Sequence, residues 1–200
     1  MKNAELCLPP GYKIRPANND GFQPPDAAME PVYRWIVRRF AGDASIRSVL
    51  DWGCGSGAML VKHFGDRRTV GVDVDWRLPS LRKRWPGREW QGLGVKADAD
   101  LVMCVDVIEH VDDPVAMLQT FAVGRWRNLV VTTPDRRLVA KYKAKTPERT
   151  RQQLAGPPLN NRHTMEWTAD EFRSLMRHIG LDAHVTTIGR FNIVAHVLRG

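Results

Sequence analysis

Two hundred residues, 43% hydrophobic and 26% charged, give enough chain for one sizeable core and exclude a disordered or fibrous protein. No apolar run approaches the ~20 residues of a membrane span, and the opening M-K-N-A-E-L-C-L-P-P lacks the apolar core of a secretion signal. Cys7, Cys54 and Cys104 form no C-x-x-C pair, which argues against a disulfide framework or structural zinc and for a reducing cytoplasm, while the net charge of +8 suits either simple solubility or an anionic partner.

Residues 1–25 carry Pro9, Pro10, Pro16, Pro24 and Pro25 with little apolar periodicity and read as an irregular arm. From Asp26 a helix is expected, with Met29, Val32, Tyr33, Ile36, Val37 and Phe40 at helical spacing and Gly42 as its stop. A strand follows over 47–51, then a helix from Ala58 to Phe64, a strand over 69–73 and a basic helix over 78–85 stopped by Pro86-Gly87. A weak strand near 89–91 precedes 101–105, a continuous apolar run of the kind buried on both faces of a parallel sheet. Asp113-Pro114 opens a helix to about Val123, and 128–132 is the fifth strand.

Residues 135–161 read as a helix-and-loop insertion over the substrate mouth. Seven basic residues and two acids lie between Asp135 and Arg151, so this segment supplies five of the eight net charges. Thr168-Ala-Asp-Glu171 is a capping box for a helix that Gly180 closes, and two terminal strands, 185–188 and 192–198, meet at a turn containing Gly189. Alternating strands and helices predict an α/β, doubly wound, mostly parallel sheet. The domain spans 26–200, with 135–161 inserted on the substrate side.

The informative stretch is R-S-V-L-D-W-G-C-G-S-G-A-M-L, residues 47–60: a short strand ending in Asp51, glycines at 53, 55 and 57, then a helix start. Strand, glycine turn, helix is the layout of a nucleotide-cofactor loop, because glycine permits positive φ and close backbone approach. G-C-G-S-G-A satisfies the dinucleotide fingerprint, with Asp73 20 residues after Gly53, so NAD is a competing cofactor. Asp51 decides against it. A carboxylate beside the helix N-terminus repels a pyrophosphate, whereas it suits the ammonium and sulfonium of S-adenosyl-L-methionine (SAM).

V-L-D-W-G-C-G-S-G resembles motif I of the class I SAM-dependent methyltransferases, and V-G-V-D-V-D (70–75) resembles their motif II. D-L-V-M-C-V-D-V-I-E-H-V-D-D-P (100–114) is similar to the fourth-strand segment of the small-molecule branch, which includes ubiquinone-biosynthesis-type O-methyltransferases. N-L-V-V-T-T-P (128–134) and H-T-M-E-W-T-A-D-E-F-R-S-L-M-R-H-I-G-L (163–181) resemble its later segments. The resemblance implies a seven-stranded Rossmann-like sheet ending in an antiparallel hairpin, SAM as cofactor and S-adenosylhomocysteine (SAH) as product.

On that layout the cofactor lies outside the carboxyl ends of strands 1, 2 and 4. Asp51, Trp52, Gly53, Cys54, Gly55 and Gly57 are then expected around its methionine and ribose portions. Asp73 is expected on the ribose hydroxyls, Val74 or Trp76 on the adenine, and Val105 or the Cys104 carbonyl on the other wall. The acid usual after strand 3 is missing from W-Q-G-L-G-V-K-A-D-A-D; Asp98 is the nearest candidate unless it opens strand 4, and the short linker leaves little room for a helix there.

Transfer to oxygen needs a proton acceptor, and His110 in D-V-I-E-H-V is the first candidate, His163 the second, with Glu109 and Asp106 as orienting groups. His63, His178, His184 and His196 read as structural. No metal constellation stands out in the spacing, and Asp112-Asp113 is explained by N-capping. No N-P-P-Y-like tetrad follows strand 4, nor does a cysteine stand where a cytosine C5 methylase needs one.

The reading favoured is methyl transfer from SAM to an oxygen of a small or carbohydrate- or lipid-linked acceptor, anionic by the charge balance. An RNA methyltransferase using the basic 135–151 segment is the alternative, and a non-catalytic SAM-binding scaffold is another. An NAD oxidoreductase comes last.

Overall fold

The computed structural model describes residues 30–144, 146–160 and 162–200. The expected N-terminal arm, the helix start at Asp26, Cys7, Met29 and Lys145 lie outside these residues.

Seven strands form one sheet in the order β3-β2-β1-β4-β5-β7-β6. They are β1 (Ser48–Trp52), β2 (Arg68–Val72), β3 (Glu89–Gln91), β4 (Ala99–Val105), β5 (Trp126–Pro134), β6 (His184–Ile188) and β7 (Asn192–Leu198). The first five pair in parallel, while β7 runs antiparallel to β5 and to β6. The expected doubly wound sheet with its closing hairpin is present. β1 and β4 are adjacent but their chains leave to opposite sides, so a crevice opens at their carboxyl ends.

The helices are α1 (Glu30–Ile36), α2 (Ala58–His63), α3 (Leu78–Arg84), α4 (Pro114–Ala122), α5 (Arg136–Ala144), α6 (Pro147–Ala155) and α7 (Ala169–His178). A wider turn, Val37–Ala41, continues α1 up to Gly42. The Asp113 carboxylate accepts from Ala116 N at 2.9 Å to cap α4, and Thr168 and Glu171 make the expected reciprocal box at α7. No helix joins β3 to β4, as the short linker suggested. None of the described helices is long and apolar enough to cross a membrane.

Two apolar layers sandwich the sheet. Leu50, Trp52, Val102 and Cys104 face the layer with Phe121, Phe172 and Met176 of α4 and α7. Val49, Leu101, Met103 and Val105 face the other, with Val32, Ile36 and Leu60 of α1 and α2. Strand alternation thus sends odd-numbered residues of β1 and β4 to one side and even-numbered ones to the other. Asp51 and Val105 share the α1–α2 side, and that places the site.

Candidate active site

A cavity of about 250 Å³ opens at the ends of β1 and β4, lined by Tyr33, Asp51, Gly53, Cys54, Gly55, Ser56, Met59 and Val105, with Lys62 and His63 at its rim. Tyr33, Met59, Lys62 and His63 were not foreseen as site residues. α1 brings Tyr33 from outside the glycine motif, and His63 projects from the last turn of α2.

The glycines act through shape. At Gly53 φ is +79° and a Cβ would stand 2.2 Å from Val107 Cγ2; at Gly57 φ is +69° and a Cβ would meet the Trp90 ring at 2.4 Å. Gly57 therefore packs on Trp90 and does not line the cavity. The loop N–H groups are turned inward: Gly53 N and Cys54 N both donate to Val72 O, at 2.7 and 3.0 Å, and Gly57 N to Cys54 O at 2.9 Å.

Asp51 is buried, and burial together with the Asp73 carboxylate pushes its pKa up to about 7. Asp73 accepts from Gly55 N and Val74 N, each at 2.8 Å, and Arg77 stands 3.5 Å away. Burial raises its pKa, against the pull of those N–H donors and Arg77. It is positioned at the end of β2 as expected, and its two oxygens tie the glycine loop to the second strand.

Two further expectations are corrected. Trp52 is only 2% exposed and packs edge-on to Phe121 at 5.9 Å in the α4–α7 layer, because β1 runs one residue further and alternation turns its side chain away from the cavity. Val105, one of the two candidates for the other wall, lines the cavity, and the Cys104 side chain lies in the same layer as Trp52. Asp98 sits at the opposite end of the sheet, where it accepts from Arg125 N (2.9 Å) and Nη2 (3.0 Å), so it makes no adenine contact. Val74 is half-buried and Trp76 half-exposed, with the Arg77 guanidinium 4.8 Å over its ring.

Beyond Val105 the chain turns through Asp106, whose φ of +51° is uncommon outside glycine. Its carboxylate accepts from Thr132 Oγ1 at 2.8 Å, and burial lifts its pKa to about 6. Asp106 and Asp51 both act on the Tyr33 hydroxyl, which burial in the first place keeps protonated. Tyr33, which lines the cavity, thus feels charges on both β1 and the turn after β4.

A polar cluster after β4 joins residues 53 apart. The rings of His110 and His163 meet edge to face with centroids 4.9 Å apart, and Glu109, 1% exposed, carries a carboxylate oxygen 4.0 Å from His110 Nε2. Burial and Asp106 raise the Glu109 pKa well above the carboxylate range, and its Oε2 has no hydrogen-bond partner among the described residues. His110 Nδ1 lies 3.1 Å from the Arg162 carbonyl, which can only accept, so Nδ1 carries the hydrogen and Nε2 the lone pair. Burial lowers the His110 pKa, which keeps that lone pair free at neutral pH.

His163 is bound differently. Its Nδ1 is 2.7 Å from Glu166 Oε1, and its Nε2 is 3.0 Å from Asn160 Nδ2. Asn160 Oδ1 accepts from Arg162 N at 3.1 Å, which fixes the amide so that Nδ2 donates to the ring. Glu166 also accepts from Leu159 N and Asn160 N, and these donors outweigh burial to hold its pKa down. Both nitrogens of His163 are thus engaged, by Glu166 and Asn160, neither of which the sequence singles out.

Glu109, His110 and His163 offer ligand atoms within 4.8 Å of one another, a nitrogen–oxygen set suited to a divalent cation. The spacing in sequence hides this group. The orphaned Glu109 oxygen fits such an ion, whereas His163 joins it only after Asn160 releases Nε2.

The sheet order, the glycine loop with acids closing β1 and β2, and the histidine after β4 define a class I SAM-dependent methyltransferase. The chain belongs to the family described as Methyltransferase domain, whose sequence model matches residues 26–185. No curated protein matches it in sequence. Its fold is similar to that of PigF with SAH, at 12% identity and TM-score 0.61 over 86% of this chain and 55% of that one. Magnesium protoporphyrin IX methyltransferase (ChlM) from Synechocystis PCC 6803 with bound SAM follows at 14% and 0.57 over 90% and 87%. So does a chain of the Pnkp1/Rnl/Hen1 RNA repair complex, at 17% and 0.59 over 90% and 43%. This chain thus spans about half the length of the first and less than half of the last.

Proposed function

We propose that the protein transfers the methyl group of SAM to a hydroxyl oxygen, with His110 Nε2 as the proton acceptor. The observation that carries this reading is the fixed tautomer of His110: Arg162 O takes the Nδ1 hydrogen, and Nε2 keeps its lone pair on the segment that follows β4. In-line displacement from a sulfonium needs little beyond alignment and a base for the acceptor proton. Asp51 neutralises the cofactor's ammonium, and the Asp73 carboxylate accepts from its ribose hydroxyls. Glu109, kept neutral by burial, can donate to the acceptor oxygen, while Glu166 and Asn160 hold His163 against His110.

The acceptor reading is a small or carbohydrate- or lipid-linked hydroxyl, anionic because the segment framing the site is basic. Fold alone does not choose, since the same architecture serves ChlM and an RNA repair complex. Single-turnover assays with labelled SAM test the base: His110→Ala should lower the rate ~10²–10⁴-fold with SAH affinity unchanged. Full activity in that variant would remove His110 from the chemistry. The partnerless Glu109 oxygen favours a second reading, a divalent cation on Glu109, His110 and His163 that polarises the acceptor. Activity that survives chelation rejects it; loss restored by added metal supports it.

A further inference from the structure

The exposed cations next to this site form a group. Arg137, Lys141 and Lys143 project from α5, Arg149 and Arg151 from α6, Arg162 from the loop beyond, and Arg190 from the β6–β7 turn. None of the seven is in a salt bridge with a described residue. Glu148 is the one acid between 136 and 162. A short hairpin with this much unbalanced charge repels itself, and an anionic partner relieves that.

The same surface has an aromatic centre. Tyr142 and Phe191 have centroids 5.2 Å apart at 61°, and the Arg190 guanidinium lies 5.4 Å over the first ring and 5.9 Å over the second. Tyr142 is 59% exposed, so much of its ring remains open. A ring and guanidinium amid cations that no described acid pairs supply the two parts that hold single-stranded nucleic acid: charges that track phosphates and a platform on which a base stacks. Stable insertion into a lipid surface would need an apolar helix face beside the charge. α5 buries Arg136, Ala140 and Ala144, α6 buries no residue, and Tyr142 is the one large hydrophobic exposed on either helix.

This surface is coupled to the chemistry. The residue whose carbonyl sets the His110 tautomer is Arg162, itself one of the exposed cations. We infer that the α5–α6 hairpin and the β6–β7 turn bind single-stranded nucleic acid, with phosphates on Arg137 and Lys141 and a base on Tyr142, and lead it toward His110. This goes beyond the oxygen-acceptor reading, keeping its base His110 and replacing its small or glycan- or lipid-linked carrier by a nucleic acid, and rests on it for the acceptor role alone.

The test is fluorescence anisotropy of the full chain with labelled 12-nucleotide single strands of RNA and of DNA, and with a duplex of the same length. Co-sedimentation with phosphatidylcholine–phosphatidylglycerol vesicles runs in parallel. Single strands of either sugar should bind, with affinity falling about 50-fold from 50 to 200 mM salt if about four phosphates are neutralised. Arg137→Glu with Lys141→Glu should weaken binding more than ~10-fold and flatten the salt dependence. Tyr142→Ala should weaken it about 10-fold at unchanged salt slope, with Tyr142→Phe restoring it. SAH affinity, measured by calorimetry on each variant, should stay as in the parent, which separates a lost surface from a lost fold. Absence of single-strand binding, binding to vesicles alone, or equal duplex binding that ignores Tyr142→Ala would each overturn the inference. Binding without methyl transfer leaves the surface standing and removes the hydroxyl reading for that polymer. Transfer to a small acceptor without oligonucleotide binding does the reverse.

Discussion

At Asp51 the fold holds a buried carboxyl that no cation among the described residues pairs in a salt bridge. Its pKa near 7 means that about half of the molecules carry it protonated at neutral pH in the absence of cofactor. The methionine ammonium of SAH favours the ionised form, so binding below pH 7 must expel a proton. Affinity should therefore fall by up to ~10-fold for each pH unit below 7 and level off above it. Calorimetric titrations with SAH at pH 5.5, 6.5 and 7.5 measure this, and Asp51→Asn should flatten the profile at a weak affinity. A pH-independent affinity in the parent would place the ammonium elsewhere. Asp51 was legible in sequence because an acid two residues before a glycine loop has few other uses. Tyr33 and His63 were not, since no local pattern distinguishes a helix residue that faces a cavity from one that faces core or solvent.

Among the elements, the α5–α6 hairpin departs most from a sequence reading. Charge counting treated Arg136 as part of a basic surface, yet it is buried and its Nη2 reaches the carbonyls of Gln153, Gly156 and Pro157. Its other terminal nitrogen stands 3.9 Å from Glu166, the residue that holds His163. One guanidinium thus ties α6 and the following loop to the histidine pair. Arg136→Met should leave Glu166 buried beside a missing charge, at a cost on the order of 3 kcal/mol. Arg136→Lys should recover only part of it, because an ammonium lacks the planar fork. Thermal unfolding reads the stability, and limited proteolysis within α6 should quicken in both variants. Unchanged cleavage in Arg136→Met would show that the hairpin is held by something else. The capping box at Thr168 and the apolar run of β4 were legible because each rule is local. The Arg136 clamp, like the meeting of His110 with His163, is set by tertiary closure over tens of residues, which spacing does not encode.

At the scale of the whole molecule, the active site is a reservoir of buried acids, and this fixes how stability depends on pH. Asp51, Asp106 and Glu109 have folded pKa values raised above their unfolded ones, chiefly by burial. Between those limits the native state binds more protons than the unfolded chain, so their contribution is lost as pH rises. His110 and His196 are lowered by burial and act oppositely, but only up to about pH 6.5, the unfolded imidazole value. Glu166, Asp98 and Asp100 are lowered, so their contribution is lost only as pH falls through the acid range. From pH 6.5 to 8 the raised acids are therefore left to dominate. Asp51 alone accounts for a loss of about 1 kcal/mol over that interval, or a Tm lower by roughly 2–4 °C. SAH should reverse the trend, because its ammonium pairs with the carboxylate that high pH creates. The gap in Tm with and without SAH should widen from pH 6.5 to 8, and Asp51→Asn should be more stable than the parent at pH 8 while responding weakly to the ligand. Scanning calorimetry at the two pH values decides it: a gap that narrows as pH rises would mean that the acids after β1 and β4 are not what the cofactor neutralises.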